Sequence, residues 1–159
     1  MLAELETTAK AYAVGSSFLD RLVGDFTEAE WGYRDPAGHD PRWLVGHITT
    51  YRVRVAQLMG ADLPSAPWEG CFGRGKSSAD VPADLDIQAV LAAFKASSAA
   101  IAGGWDALSP EKLAEPFGRK LPNGTDDVRG AIQFFNWHEA YHLGQLGLLR
   151  RLAGRPGAA

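Results

Sequence analysis

The chain has 159 residues, 46% hydrophobic and 22% charged, which predicts one packed globular domain over residues 1–159 rather than a disordered segment. A net charge of −3 without any Lys/Arg run argues against nucleic-acid binding, and the single cysteine, Cys71, excludes an internal disulfide. The first residues lack a secretory-signal pattern and no apolar run approaches ~18 residues, so we expect a cytoplasmic protein without a membrane segment.

Apolar spacing and capping residues predict two helices in the first half of the chain. The first covers roughly residues 2–22, and Thr27-Glu28-Ala29-Glu30 then has the form of a capping box that opens a short helical turn. The second begins near Asp40 or Pro41, with aspartate as cap and proline in the first turn, and ends at Gly60.

The second half predicts two further helices, separated by irregular connections. The third covers roughly residues 86–108, and the fourth opens at Thr125-Asp126-Asp127 and ends near Arg150 and Arg151, before Gly154. The connection over 61–84 is long for a small domain and is therefore expected to be functional or mobile. With no strand-like alternation, the sequence predicts an all-α four-helix bundle, a fold that often builds metal sites between facing helices.

Two motifs match known patterns but lack the required context. Gly70-Cys71-Phe72-Gly73-Arg74-Gly75-Lys76-Ser77 has the letters of a phosphate-binding P-loop. That site requires a hydrophobic strand before the loop and a helix immediately after it, and the prolines on both sides, Pro67 and Pro82, oppose both. Nucleotide binding is therefore not expected.

His138-Glu139-Ala140-Tyr141-His142 matches the HExxH pattern of zinc proteases, in which the glutamate is the general base. The longer form of that motif continues to a glycine and a third histidine, but this chain has Gln145 and Leu148 at those positions. None of the 17 residues after His142 is acidic, so a third ligand cannot follow the motif as it does in the shorter form.

A different set of three histidines fits the predicted helices. His138 and His142 are four residues apart and therefore share one helix face. If the second and fourth helices are neighbours, His47 can join them, and three neutral imidazoles with an open position suit zinc or nickel, with iron or manganese also compatible. The alternative is that each histidine is a hydrogen-bonded core residue, the better interpretation for His47 taken alone. His39 is read as a surface or capping residue.

Two polar neighbours of the histidines are the candidate catalytic residues. Gln145 shares the face of His138 and His142, where it can orient a ligand or contact substrate, unless it is only a surface glutamine. Glu139 is one step round the helix and is either a base, a hydrogen-bonding partner of a ligand, or a solvated acid. Trp43 and Tyr51 lie one turn from His47 and either line a cavity mouth or pack in the core.

These residues resemble the DinB-like superfamily, also called DinB/YfiT-like. The resemblance covers nearly the whole chain and lies in the segments Pro41-Arg42-Trp43-Leu44-Val45-Gly46-His47-Ile48, Phe72-Gly73-Arg74-Gly75 and His138-Glu139-Ala140-Tyr141-His142-Leu143-Gly144-Gln145-Leu146. It implies an up-down-down-up bundle with a long crossover between helices two and three, and a metal bound by His47, His138 and His142. It also implies a homodimer.

The resemblance leaves three functions open. Family members are similar to S-transferases that use low-molecular-weight thiols, so the leading hypothesis is transfer of a small-molecule thiol to an electrophilic substrate, with the thiol deprotonated at the metal. Metal-dependent hydrolysis by activated water is the second hypothesis. A non-catalytic, stress-associated dimer that only binds metal is the third.

Overall fold

The computed structural model describes residues 1–158. Its main elements are four long helices and two short ones, in the order α1 Glu6–Val23, α2 Glu28–Trp31, α3 Pro41–Leu58, α4 Ile87–Gly104, α5 Pro110–Ala114 and α6 Val128–Leu152. Short 3-10 turns cover Ala3–Leu5, Glu69–Cys71, Ser78–Asp80 and Trp105–Ala107. Residues 1–158 contain no β-strand, only an isolated bridge between Pro116 and Asp127, so the all-α prediction is confirmed.

Asp40 caps α3 as predicted, whereas α6 begins later than its predicted opening, with Asp127 rather than Thr125 as the cap. The Asp40 carboxylate accepts a hydrogen bond from the backbone N–H of Trp43 at 2.7 Å, and Asp127 accepts one from the N–H of Gly130 at 2.7 Å. Gly60 has a φ of 95° just after α3, a conformation that stops a helix at little cost only in glycine. Helix α5 was not predicted from the sequence, although Ser109 caps it and Pro110 opens it.

Contacts along α1 and α6 show that these two helices run in the same direction. Near their starts the Tyr12 hydroxyl donates to the Ile132 carbonyl at 3.0 Å. Near their ends the Arg150 guanidinium donates to the Leu22 carbonyl at 2.9 Å. The two helices are therefore parallel neighbours.

Helix α3 runs against α6. Trp43 in the first turn of α3 lies 6.2 Å from His142, between ring centroids, and Tyr51 two turns later stacks on Phe135 at 4.9 Å. Helix α4 runs with α3, because the Arg52 guanidinium lies over the Phe94 ring while Met59 lies against Gly104. The bundle is thus up-down-down-up, and the long connection after α3 crosses its full length, as the resemblance implies.

Two apolar clusters fill the bundle, and a polar layer separates them. One cluster gathers residues such as Val55, Ile101 and Phe135, and the other gathers residues such as Leu44, Phe94 and Leu146. On α6, His138 lies between the residues of the two clusters, and on α3, His47 lies among residues of the second. The candidate site therefore borders the second cluster.

One sequence expectation needs correction. The segment Ile87–Ala107, which contains α4, is long and apolar enough to cross a membrane by length and composition alone, with a mean hydropathy of 1.3. Its large apolar residues and its alanines give it this average, and the large side chains Val90, Phe94 and Ile101 are buried against the rest of the bundle. A single helix of this kind is weak evidence for a membrane protein, because core helices of bundles pass the same test.

Candidate metal centre

His47 is held in place by the crossover connection. It lies in the middle of α3, is 6% exposed, and donates a hydrogen bond from Nδ1 to the carbonyl oxygen of Phe72 at 2.6 Å. The neighbouring Gly46 makes this contact sterically feasible, because a Cβ there would overlap the Phe72 ring. The fully buried Phe72 side chain thus anchors the connection against α3 and sets the orientation of the His47 ring.

His138 and His142 approach from α6. They lie one helical turn apart, with ring centroids separated by 4.5 Å. Nδ1 of His142 donates to the amide oxygen of Gln145 at 2.6 Å. Gln145 therefore orients His142, one of the two roles that the sequence analysis left open for it.

The three imidazoles converge through their Nε2 atoms. Nε2 of His138 lies 3.1 Å from Nε2 of His47 and 3.1 Å from Nε2 of His142. Ligand nitrogens of a tetrahedral zinc ion, at ~2.0–2.1 Å from the metal, are separated by roughly 3.3 Å. The observed spacing is close to that value, as the three-histidine hypothesis requires.

The hydrogen bonds at Nδ1 decide which ring atoms face inward. Carbonyl and amide oxygens only accept, so Nδ1 of His47 and of His142 must each carry the proton. The Nε2 atoms of His47 and His142 therefore carry no proton, and both direct a lone pair toward Nε2 of His138. These lone pairs repel each other unless a cation or a proton lies between the rings. Hydrogen bonds from Nδ1 to oxygen atoms, as in His47 and His142, are the contacts that orient metal-binding histidines.

Burial keeps these rings neutral. It lowers the pKa of His47 to about 4 and that of His138 to about 3, with neighbouring histidines adding to the effect. Burial also lowers the pKa of His142, while its hydrogen bond to Gln145 acts in the opposite direction. The rings are thus unprotonated at neutral pH, which is the form that binds metal.

Aromatic side chains enclose the three histidines. Trp43 stacks on His47 with 4.4 Å between ring centroids, and Tyr51 meets both His47 and His138 edge-on at 4.9 Å. Phe134 lies parallel to His138 at 6.0 Å. Trp43 and Tyr51 therefore line the site, one of the two roles considered from the sequence.

Two of the three histidines, His47 and His138, line a cavity of about 340 Å³. Four segments of the chain line it: α3, the crossover connection, the connection before α6, and α6 itself. The lining residues are Trp43, His47, Tyr51, Gly73, Arg74, Gly75, Lys76, Arg119, Pro122, Phe134, Phe135 and His138. The cavity gives a small organic molecule access to the histidines.

Glu139 does not face this cavity, and this corrects its assignment as a catalytic candidate. It is 5% exposed, so it is not a solvated acid, and its Oε1 accepts a hydrogen bond from Nη1 of Arg52 at 2.5 Å. The side chain points toward α1, where a Cβ on Gly15 would overlap it. Successive helix residues point about 100° apart, so Glu139 leaves the His138 face.

The Arg52–Glu139 pair lies behind the histidines. Arg52, fully buried, also donates to the Tyr12 carbonyl at 2.8 Å and to the Ser16 hydroxyl. Burial raises the pKa of Glu139 to about 7, and the Arg52 charge opposes this. Arg52 was not predicted from the sequence, because nothing in its spacing distinguishes a buried arginine from one on the helix surface.

The other residues considered from the sequence lie outside the centre. His39 contacts Asp35 through Nδ1 at 3.0 Å in the loop before α3, with its side chain 42% exposed, so it is a surface residue, and the cap of α3 is Asp40. Cys71 is half-buried in the turn Glu69–Cys71 and is not among the cavity-lining residues. The P-loop-like segment begins inside that turn rather than after a strand, and the turn Ser78–Asp80 follows it rather than a long helix, so the required context is absent.

Comparisons with known proteins agree with this architecture. The sequence profile of the DinB superfamily matches residues 17–146. A solved structure, YfiT from Bacillus subtilis, is similar to this chain with a TM-score of 0.67 and 15% sequence identity, over 98% of this chain and 91% of that one. YfiT is described as "a probable metal-dependent hydrolase with an unusual four-helix bundle topology". At this identity the similarity shows the fold alone. No curated protein matches the chain.

Proposed function

This chain belongs to the DinB superfamily, and from its three-histidine centre we propose that it is a metal-dependent enzyme, a transferase of low-molecular-weight thiols. The observation that carries the proposal is the convergence of three neutral Nε2 atoms, two of them oriented by hydrogen bonds at Nδ1. The ligands are His47, His138 and His142. Three imidazoles suit zinc or nickel best, and iron or manganese are compatible.

The residues around the centre support a thiol as the nucleophile. When bound, a divalent cation lowers the pKa of a thiol or water at its open position and so supplies a nucleophile at neutral pH. The chain has to provide only access and orientation, because a thiol loses its proton once and needs no further proton transfer from the protein. No carboxylate is among the lining residues of the cavity within residues 1–158, and Glu139 points away.

The transfer needs an electrophilic carbon as the second substrate. A sulfur–carbon bond forms, the bond from that carbon to its leaving group breaks, and the thiol proton passes to solvent. Trp43, Tyr51 and Phe134 provide flat apolar walls that hold such a molecule beside the histidines. Cys71 is not part of the cavity and does not compete as a nucleophile.

Hydrolysis is the second candidate, favoured by the description of YfiT. In that reaction water takes the place of the thiol, and the leaving group must receive a proton. The cavity lining has no carboxylic acid for this purpose in the described part of the chain, which is why we place thiol transfer first.

We also propose a homodimer. Large apolar side chains are exposed on α1 and α6, including Val14 at 62%, Trp137 at 62% and Leu148 at 56%. Isolated exposed apolar residues are common on monomers, but these lie on two adjacent parallel helices and would bury each other across a two-fold axis. Sedimentation of Val14→Glu against the unaltered protein tests this, since a charge there would dissociate the dimer.

The activity is tested with zinc-loaded and metal-stripped protein. Bacillithiol, mycothiol and glutathione are each offered with monobromobimane, and 4-nitrophenyl acetate is offered without a thiol. Thiol transfer predicts metal-dependent conjugation with at least one thiol, lost in His142→Ala and retained in His39→Ala. Metal-dependent ester hydrolysis without conjugation would replace the transferase with a hydrolase. If zinc-loaded protein shows neither conjugation nor ester hydrolysis, the transferase and the hydrolase proposals are both contradicted.

A further inference from the structure

We propose that the cavity beside the three histidines selects a small molecule that carries an anionic group, a carboxylate or a phosphate, bound at the rim by Arg74 and Arg119. The inference deepens the proposed function and rests on it, because it names the substrate class of the same site. Its evidence is the positive charge of the side chains around the cavity opening, and the proposed metal site does not depend on that charge.

Positive side chains converge on this opening from separate parts of the chain. Arg74 and Lys76 come from the crossover connection, and Arg119 comes from the connection before α6. An adjoining depression of about 320 Å³ shares Tyr51 and Arg119 with the cavity and adds Arg54 from α3. The four cations therefore surround one continuous surface.

No acidic residue lines either depression within residues 1–158. The whole chain has 19 acidic and 16 basic residues, so a lining with four cations and no acid departs from its average composition. Surfaces with one sign of charge at a cleft raise the local concentration of ligands of the opposite sign. The rim therefore favours an anion.

Two of the four cations are available to a ligand. Lys76 is engaged, because its Nζ lies 3.2 Å from a carboxylate oxygen of Asp80. Arg74 and Arg119 make no salt bridge with any residue in the described part of the chain, 1–158, and both are exposed at the rim. The planar guanidinium matches a carboxylate or a phosphate with two parallel hydrogen bonds, which makes arginine the suitable residue here.

The position of Arg119 is set by an aromatic side chain. Its guanidinium lies 5.5 Å from the centre of the Phe117 ring, and that of Arg54 lies 5.9 Å from the same ring. Both guanidinium groups thus contact the same ring, which places them at the adjoining depression. A divalent cation at the histidines would add further positive charge to the cavity, and an anionic ligand would offset both.

The ligand's remaining part is flat or apolar. Between the rim and the histidines the cavity wall consists of Trp43, Tyr51 and Phe134. Aromatic walls with a few charged groups at one end are suited to a molecule with one apolar and one charged part. The structure thus points to an anion attached to a planar or apolar group.

Calorimetric titration with matched probes tests the inference on the full-length protein. Benzoate and phenyl phosphate are the anionic probes, and benzamide is the neutral counterpart of benzoate. In metal-free protein at low ionic strength, we expect at least one anion to bind about tenfold more tightly than benzamide, as one charge-assisted contact provides. The comparison of benzoate with phenyl phosphate distinguishes a carboxylate from a phosphate ligand.

Variants separate the rim from the rest of the surface. Arg74→Gln and Arg119→Gln are each expected to raise the dissociation constant of the anion about tenfold while leaving benzamide unchanged. Lys95→Gln, which removes an exposed charge on α4, is the control and is expected to change neither. Added salt should weaken anion binding in the unaltered protein and less so in the Arg74→Gln, Arg119→Gln double variant.

Three results would overturn the inference: benzamide binding as tightly as the anions, arginine variants that leave anion binding unchanged, or no saturable anion binding at all. An anion preference seen only in zinc-loaded protein would also overturn it, because the carboxylate would then be bound at the histidines and not at the rim. Failure of the proposed function has a different signature. In that case the protein binds no metal and turns over no substrate, while the metal-free titrations still report the preference for an anion.

Discussion

The carbonyl oxygen of Phe72 accepts a hydrogen bond from Nδ1 of His47 at 2.6 Å, and this contact joins the crossover connection to the metal centre. It fixes the ring orientation and leaves Nε2 unprotonated and directed at His138. The contact depends on Gly46, whose missing side chain makes room for the Phe72 ring.

Gly46→Ala is therefore expected to weaken metal binding although residue 46 binds no metal. The added methyl group would displace Phe72, and loss of such an orienting partner lowers metal affinity about 10–100-fold. Overpacking would also reduce the free energy of unfolding by about 1–3 kcal/mol. Competition with a chromophoric chelator measures the zinc affinity.

Gly147→Ala is the matched control for that substitution. A Cβ at Gly147 would meet Leu22 at 3.6 Å, an ordinary contact, and alanine favours the helix. This variant should bind zinc as the unaltered protein does. Equal zinc affinity in Gly46→Ala and Gly147→Ala would show that the Phe72 contact does not orient His47.

Gln145→Leu should have a selective effect on metal affinity. The substitution removes the acceptor for Nδ1 of His142, so that ring can rotate or change tautomer, and we expect a loss of about tenfold in zinc affinity. Gln145→Glu keeps an acceptor and should bind nearly normally. Gln133→Leu, an exposed position on the same helix, controls for the added apolar side chain. If Gln145→Leu bound zinc as tightly as the unaltered protein, Gln145 would not be the residue that orients His142.

The buried pair Arg52–Glu139 is expected to support the fold rather than the chemistry. Arg52→Met would leave the Glu139 carboxylate buried without its partner, at a cost of about 3–5 kcal/mol in the free energy of unfolding. The double variant Arg52→Met, Glu139→Leu should recover much of that loss, because no charge is then left unpaired. Urea unfolding of the single and double variants measures both effects.

Glu139→Gln separates this role from that of a general base. It should reduce stability yet keep zinc affinity and the conjugation rate within about twofold of the unaltered protein, because Glu139 faces α1 and not the cavity. A loss of activity by orders of magnitude at full zinc occupancy would restore Glu139 as a catalytic residue.

A pH-dependent contribution to stability is expected from Glu30. Hydrogen bonds from Arg155, and then from the backbone and hydroxyl of Thr27, lower its pKa to about 2. Because the folded-state pKa lies below the unfolded value, its contribution is complete above about pH 4.5 and is lost as the pH falls toward 2. The melting-temperature difference between the unaltered protein and Glu30→Gln should shrink over this range.

Arg155→Gln provides the partner control, since it removes the main cause of the lowered pKa. In that background the effect of Glu30→Gln on the melting temperature should be smaller, and what remains reports the hydrogen bonds from Thr27. A difference that is constant from pH 7 to pH 2 would mean that the Glu30 carboxylate is not stabilised in the folded protein.

Local sequence signals were sufficient for the four long helices but not for α5. Caps and stops such as Asp40 and Gly60 act through contacts within a few residues, so they can be read from the sequence. The i, i+4 spacing predicted that His138 and His142 share a face, whereas the addition of His47 depended on the second and fourth helices being neighbours, which the family resemblance implied.

The remaining features depend on contacts between distant segments. The direction of Glu139 follows from Arg52, 87 residues away, and no periodicity encodes that pair. The role of Phe72 belongs to its backbone carbonyl, which has no side-chain signature, although Gly46 in the middle of a helix was an available hint. Arg74 and Arg119 meet only because two connections fold over the same opening.

Metal removal is expected to lower stability. A ligand that binds only the folded state at 100 times its dissociation constant contributes about 2.7 kcal/mol. For a chain of this size that corresponds to a fall of roughly 5–10 °C in the melting temperature on chelation. Scanning calorimetry with and without chelator measures this shift, and His142→Ala should show none.

The metal content of His47→Ala tests the centre most directly, because His47 is the ligand contributed by the other helix. After zinc loading and gel filtration, elemental analysis should find one zinc per chain in the unaltered protein and in His39→Ala, and none in His47→Ala. One zinc per chain in His47→Ala, or none in the unaltered protein, would contradict the three-histidine metal centre.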